Sequence, residues 1–209
     1  MLKKLSEERL QALLEAGVEE FALRGPAGTS MRSIADRAGI SVGVLYKYYA
    51  DKDAFFRACL DRSLQALDVV LAEVTAEEAG FREYARRIIR ALLRFSREHG
   101  AYVRLYCTLA ASGGEEAKRL AGEIEGVTAR LYSGAIAAGQ AAGDLRGDVD
   151  PAMLAFFFDN LLMTVQFAGC CDYYRERFRL YCGGTLEEQE ARLEGELLKF
   201  LEAAFAKEG

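Results

Sequence analysis

The chain has 209 residues, 51% of them hydrophobic and 28% charged, with two prolines and a net charge of −5. That is enough to bury a sizeable core in one domain or two small ones, and the predominance of Ala, Leu, Glu and Arg predicts an all-α globular protein. One histidine, no phosphate-binding glycine loop, no metal-ligand spacing and no nucleophile beside a candidate base argue against an enzyme and against any cofactor or metal.

Charge is unevenly spread. Residues 1–60 hold nine Lys and Arg against eight Asp and Glu, and the remainder holds eighteen against twenty-four, so the acidity belongs to the C-terminal part. The five cysteines, Cys59, Cys107, Cys170, Cys171 and Cys182, follow no disulfide spacing, and Met1–Leu10 is charged and polar. The expected location is therefore the reducing cytoplasm, with no membrane partner.

Taken in order, Ser6 caps a first helix whose residues Leu10, Leu13, Leu14, Gly17, Val18 and Phe21 form one apolar stripe, ended by Arg24–Gly28. Thr29 and Ser30 then offer side-chain oxygens to a short helix that buries Ile34, Ala35 and Ala38. Gly39 supplies the turn, Ile40 plugs the corner, and Ser41 opens a second short helix, Val42 to Tyr48. Helix, tight turn and second helix together read as a helix-turn-helix that docks on DNA.

Nineteen consecutive residues from Ile34 to Lys52, IADRAGISVGVLYKYYADK, fit the pattern I-A-x-x-A-G-[IV]-S-x-G-x-[LV]-Y-x-[HY]-[FY]-x-x-K. In this the segment resembles the N-terminal domain of the TetR family of bacterial repressors. The resemblance implies an N-terminal three-helix DNA-binding domain, residues 1–52. A long helix joins it to a helical ligand-binding and dimerisation domain, residues 53–209.

It also implies that Thr29, Ser30, Ser41, Tyr46, Tyr48 and Lys52 hold phosphates, that Val42, Val44 and Lys47 face bases, and that Arg32 is a further contact. Small residues at the leading end, Ser41, Val42, Gly43 and Val44, let backbone and bases approach. Many members of the family carry a basic residue where Val42 stands. Valine reaches only apolar groups such as the thymine methyl, so an operator with thymines there is expected.

From Asp51 to about Glu73 the apolar residues Phe56, Leu60, Leu64, Leu67 and Leu71 recur without a break and predict one helix shared by head and body. Phe81 to Glu98 carries arginines at helical spacing, a face expected to be solvated or paired with the acidic body. Gly100–Ala111 and Glu115–Ala142 follow, the second capped by Ser112 and closed by Gly143. His99, before Gly100, reads as a partner for a helix C-terminus.

Asp150-Pro151 starts a helix apolar on nearly all sides, PAMLAFFFDNLLMTVQFAGCCDYY, with Asp159 and Asn160 at its middle. Membrane span, core helix and helix between a cavity and a partner all compete; the two polar residues and the charged run Asp172–Arg179 disfavour the first. Thr185 with Glu188 opens the last helix.

In the resembling family the last two long helices form a four-helix bundle with a second subunit. That places Leu154, Phe158, Leu161, Leu162, Val165, Leu193, Leu197, Phe200, Leu201 and Ala204 at a homodimer interface, as reading a palindromic operator requires. The resemblance also implies a small-molecule effector that lowers operator affinity. Tyr102, Tyr106, Cys107, Phe156, Asp159, Asn160, Met163, Phe167, Cys170 and Tyr174 are its candidate pocket, suited to an apolar or aromatic ligand. A DNA-binding protein whose body docks a protein partner is the alternative.

Overall fold

The computed structural model describes residues 5–75, 80–112 and 114–207, and within them the chain is all-α, with ten helices. The first, α1 (Glu7–Gly28), starts at Ser6, whose hydroxyl accepts the Arg9 N–H, and it breaks where the sequence indicates, at non-helical Gly25 before Pro26. Helices α2 (Met31–Arg37) and α3 (Val42–Tyr48) form the helix-turn-helix. Gly39 at the turn has φ 64°, a conformation that a side chain would strain, and the Ile40 N–H returns to the Ala35 carbonyl at 3.0 Å.

The long helix is α4 (Lys52–Thr75), capped by Asp51, whose carboxylate accepts the Ala54 N–H at 2.7 Å. The body adds α5 (Phe81–Glu98), α6 (Gly100–Ser112), α7 (Gly114–Ala142), α8 (Pro151–Cys170), α9 (Asp172–Cys182) and α10 (Leu186–Phe205). Gly143 ends α7 in the left-handed region, Asp150 caps α8 through Ala152 and Met153, and Thr185 and Glu188 form the reciprocal cap of α10. The cap expected at Ser112 lies outside the described side chains. α9 is a correction: Cys171 turns extended (φ −109°, ψ 127°) and splits the expected continuous helix.

One buried cluster begins in the head with Phe21, Ile34, Leu45 and Phe55 and runs without interruption into Phe95, Tyr102 and Leu105 of α5 and α6. Phe21 meets Phe56 edge-on at 4.7 Å, and Tyr49 meets Phe55 at 4.8 Å. A second cluster joins α5, α7, α8 and α10 around Ile88, Tyr132, Phe158 and Leu201.

The arginine face of α5 is indeed paired. Arg82 meets Glu202, Arg86 and Arg90 meet Glu194, Arg97 meets Glu190, and Arg94 meets Glu73. Four of these arginines join α5 to three glutamates of α10, while the helix packs inward on Ile88, Ile89, Leu92 and Leu93.

Among the described residues α8 alone is long and apolar enough to cross a membrane, yet one of its faces is core. This corrects the expected dimer surface. Leu154, Phe158 and Leu162, with Leu197 and Leu201 of α10, are buried within the protomer itself. Leu161, Val165, Leu193 and Ala204 are half-buried, and Phe200 is exposed. The outward apolar side of α8 is Met153, Phe156 and Phe157, and a groove between α8 and α10 is lined by Phe157, Leu161, Thr164 and Phe200.

Candidate nucleic-acid interface and inner cavity

Helix α3 is anchored by one fully buried side chain, Leu45, and turns Val42, Gly43, Tyr46 and Lys47 outward on one face. Val42 with Tyr46, and Gly43 with Lys47, are i, i+4 neighbours, so these four form a strip on the exposed side of the helix. Val42 is 39% exposed. Val44 is half-buried at the margin, while Ser30, Arg32 and Ser41 are exposed beside the strip. Arg32 and Lys47 make no ion pair among the described residues, so their charge is available to an anion.

Four of the expected phosphate holders are engaged by the fold. Thr29 is buried, and its hydroxyl donates to the carbonyls of Gly25 (2.8 Å) and Glu20 (3.2 Å); it closes the break in α1 instead of capping α2. Ser30 does that capping, in a reciprocal pair with Ser33. Lys52 donates to the carbonyls of Pro26 (2.7 Å) and Thr29 (3.1 Å), two of an ammonium's three donors. The Tyr48 hydroxyl accepts the Leu5 N–H at 2.5 Å and keeps its own proton to give. Ser41 stands at the start of α3 without the side-chain cap expected of it.

Behind the strip lies a charge cluster that the sequence reading does not single out. Glu20, 2% exposed, accepts from Arg37 at 2.8 Å and pairs with Arg24 at 3.1 Å. Burial pushes its carboxyl up, but the hydrogen bonds from Arg37 and Ser33 and the two guanidinium charges outweigh that and hold it below the ordinary range. The cluster ties α2 to α1.

A cavity of about 70 Å³ lies among α4, α5, α6, α7 and α8. Tyr102, Tyr106, Asp159 and Met163 line it, together with Glu125, Thr128, Tyr132 and Gln166, and leucines of α4 and α5 close the other side. The remaining expected pocket residues are elsewhere. Phe156 is 60% exposed and Asn160 donates to its carbonyl on the outer side of α8. Phe167 packs at a tilt against Tyr174, ring centroids 5.1 Å apart, in the core beside half-buried Cys107. Cys170 donates to the Ser96 carbonyl at 3.3 Å and borders a separate cleft. Glu125, Thr128 and Tyr132 recur at i, i+3, i+7, a polar stripe on an otherwise mixed helix that could have marked the wall from sequence.

The Tyr106 hydroxyl donates to Glu125 and lies 3.3 Å from the Met163 sulfur. The Tyr102 hydroxyl reaches out of the cavity to Glu15 of α1, which also pairs with Arg62 of α4 at 3.3 Å. Burial, with Glu125 adding to it, raises the Asp159 carboxyl to about 7. An aspartate raised in this way keeps its proton in the folded chain after the unfolded chain has lost it, so it costs stability as pH climbs from about 4 to about 7, and the cost persists above. Asp159→Asn should therefore raise Tm at pH 8 by about 4 °C or more, at roughly 2–4 °C per kcal/mol for a chain this size. The gain should vanish near pH 4, a comparison that calorimetry at constant ionic strength can make.

Residues 13–59, from α1 into α4, match the family model of bacterial regulatory proteins, tetR family. The HTH-type transcriptional repressor Rv3405c of Mycobacterium tuberculosis is 37% identical over 90 residues, 42% of this chain and 48% of that protein, so the chain spans about half its length. The HTH-type transcriptional regulator RutR of Escherichia coli is 31% identical over 150 residues, 70% of this chain and 68% of RutR. The chain belongs to the TetR family. FadR of Bacillus subtilis, solved in complex with stearoyl-CoA, shares the TetR fold with this chain at TM-score 0.72 over 92% of this chain and 97% of FadR, at 15% identity. TetR proteins are a family of bacterial regulatory proteins, not enzymes.

Proposed function

We propose that the protein is a ligand-responsive transcriptional repressor of the cytoplasm that binds a palindromic operator as a homodimer. Residues 1–52 read DNA and residues 53–209 sense and dimerise. The exposed strip of α3 enters the major groove, Tyr46 and Lys47 reaching the backbone and an edge base, Val42 lying against a thymine methyl. Ser30, Arg32, Ser41 and the free proton of Tyr48 hold phosphates around it. With so few cations per head, operator affinity falls steeply with salt but not as steeply as for a polybasic clamp. The outward side of α8 and Phe200 of α10 take the second subunit, a placement supported by the apolar exposure of Met153, Phe156 and Phe157.

The observation that carries the ligand response is Tyr102. Its ring lines the cavity and its hydroxyl holds Glu15, so a molecule that displaces the ring pulls directly on α1 and, through Arg62, on α4. Coupling between two sites is commonly 5- to 150-fold in affinity. Tyr102→Phe cuts that link, and the ratio of operator affinities without and with effector should shrink by about tenfold, the worth of one hydrogen bond to a charged group. Fluorescence anisotropy of labelled operator measures both affinities.

The test of the whole reading is selection of bound duplexes from random DNA by the purified chain, repeated with the small molecules that co-purify, alongside its mass in solution. A dimer enriching a palindrome supports it. A monomer with no preference over random competitor at moderate salt ends it.

A further inference from the structure

The inner cavity is electrostatically one-sided. Asp159 from α8 and Glu125 from α7 face the same small space, and among the described residues no lysine, arginine or histidine lines it. Glu125 has the Tyr106 proton, but Asp159 has neither a hydrogen bond nor an ion pair among the described residues. Tyr132 is 1% exposed, packs its ring edge-on against Phe158 at 5.1 Å, and leaves its hydroxyl at the cavity wall with no hydrogen-bond partner among the described residues. Buried polar groups are ordinarily satisfied, and buried carboxylates ordinarily paired. Here an aspartate and a tyrosine hydroxyl both open onto an interior space without engaging a partner among the described residues.

We propose that this cavity is the site of a small organic cation, an ammonium or amidinium group carried on a compact apolar or aromatic body. The proposal rests on the reading of the cavity as the effector site and names the chemistry that would fill it. The cationic head sits between Asp159 and Glu125, where it supplies the charge that both carboxylates lack, and a protonated amine also donates to the Tyr132 oxygen. The faces of Tyr102, Tyr106 and Phe95 attract the same charge through their π systems. The body lies against Leu64, Leu67, Leu92 and Leu105. The space is about 70 Å³, so the helices must part somewhat for a phenylethyl-sized body and much further for a long chain or a nucleotide-bearing acyl group, and an anion would meet two carboxylates.

Asp159 holds a proton over part of the neutral range, and a cation takes that proton's place. The titratable groups around it are Glu125 and Tyr132 on α7 and Tyr106 and Tyr102 on α6; α4 and α5 contribute none to the wall. Binding therefore releases protons near pH 7, which shows as a binding heat that depends on the buffer, and that dependence fades by pH 9.

The experiment is calorimetric titration of the full chain at pH 8 with three probes of one shape: 2-phenylethylammonium, neutral 2-phenylethanol and anionic phenylacetate. The expected result is at least tenfold tighter binding of the ammonium than of the alcohol, with the carboxylate weakest. Asp159→Asn and Glu125→Gln, each checked for fold by circular dichroism and Tm, should each bring ammonium and alcohol to within about threefold. Alcohol or carboxylate binding as tightly as the ammonium overturns the proposal, as does a preference that survives both substitutions, or no binding of any probe at millimolar concentration. A parallel screen against the selected operator separates the two readings. If a neutral or anionic compound releases DNA while ammonium compounds do not, the effector response stands and the cation assignment falls; if no compound of any charge shifts operator affinity, the effector response itself falls.

Discussion

Val42→Glu should weaken binding to the selected operator by about a hundredfold or more, the largest functional loss expected of any single change in the head. Val42 begins α3 at its exposed end, and a carboxylate there would project toward phosphates and base acceptors. Like charges brought together at an interface cost several kcal/mol, each 1.4 kcal/mol is tenfold in affinity, and a dimer presents the substitution twice. The fold should tolerate it, because the side chain is already in solvent and the start of a helix favours negative charge. Anisotropy against operator, with Val69→Glu on the exposed side of α4 as a control, measures the loss. An unchanged affinity would mean that another surface meets the DNA.

Phe21→Ala should cost about 3–5 kcal/mol of folding stability, as large aromatic deletions in closed cores do. Phe21 is wholly buried, with Phe55 and Phe56 of α4 on one side and the α2 residue Ile34 in the same cluster. Leu23→Ala, two residues along the same helix but 67% exposed, should change stability by about 0.5 kcal/mol or less. Urea denaturation of the two variants at one protein concentration gives the comparison, since dimerisation makes stability depend on concentration. If both variants fell equally, the head would not be held by this packing.

What could be read from residues alone follows from how local the physics is. Gly39 between two short amphipathic runs, Asp150 before Pro151, and Thr185 three places before Glu188 are each decided within one helical turn, and all three appear where expected. The break at Cys171 was not legible, because CCDYY carries neither proline nor glycine and its apolar character continues that of α8. Nor could the sequence sort the faces of α8. A helix apolar all round has no stripe to follow, so Phe158 and Phe156, two residues apart, were candidates for wrong sides: one is core, the other solvent-facing.

Thr29 and Lys52 show a different limit. Both side chains have the chemistry to hold phosphate, and only the path of the chain at Gly25 and Pro26 decides that backbone carbonyls reach them first. Glu20 gave no warning either. An acidic residue on a predicted helix reads as surface until Arg37, seventeen positions later, is brought against it.

The ion pairs between α5 and α10 recur along both helices, at Arg97–Glu190, Arg90–Glu194 and Arg82–Glu202, like teeth on a rack. Sliding the final helix by one turn would break at least two of the three pairs, since only Glu190 and Glu194 lie one turn apart, so the pairs favour one setting of the height of α10 against the body. A neighbouring molecule that gripped α10 would inherit that setting, and the spacing between two copies of α3 would be gauged by arginines some distance from any DNA.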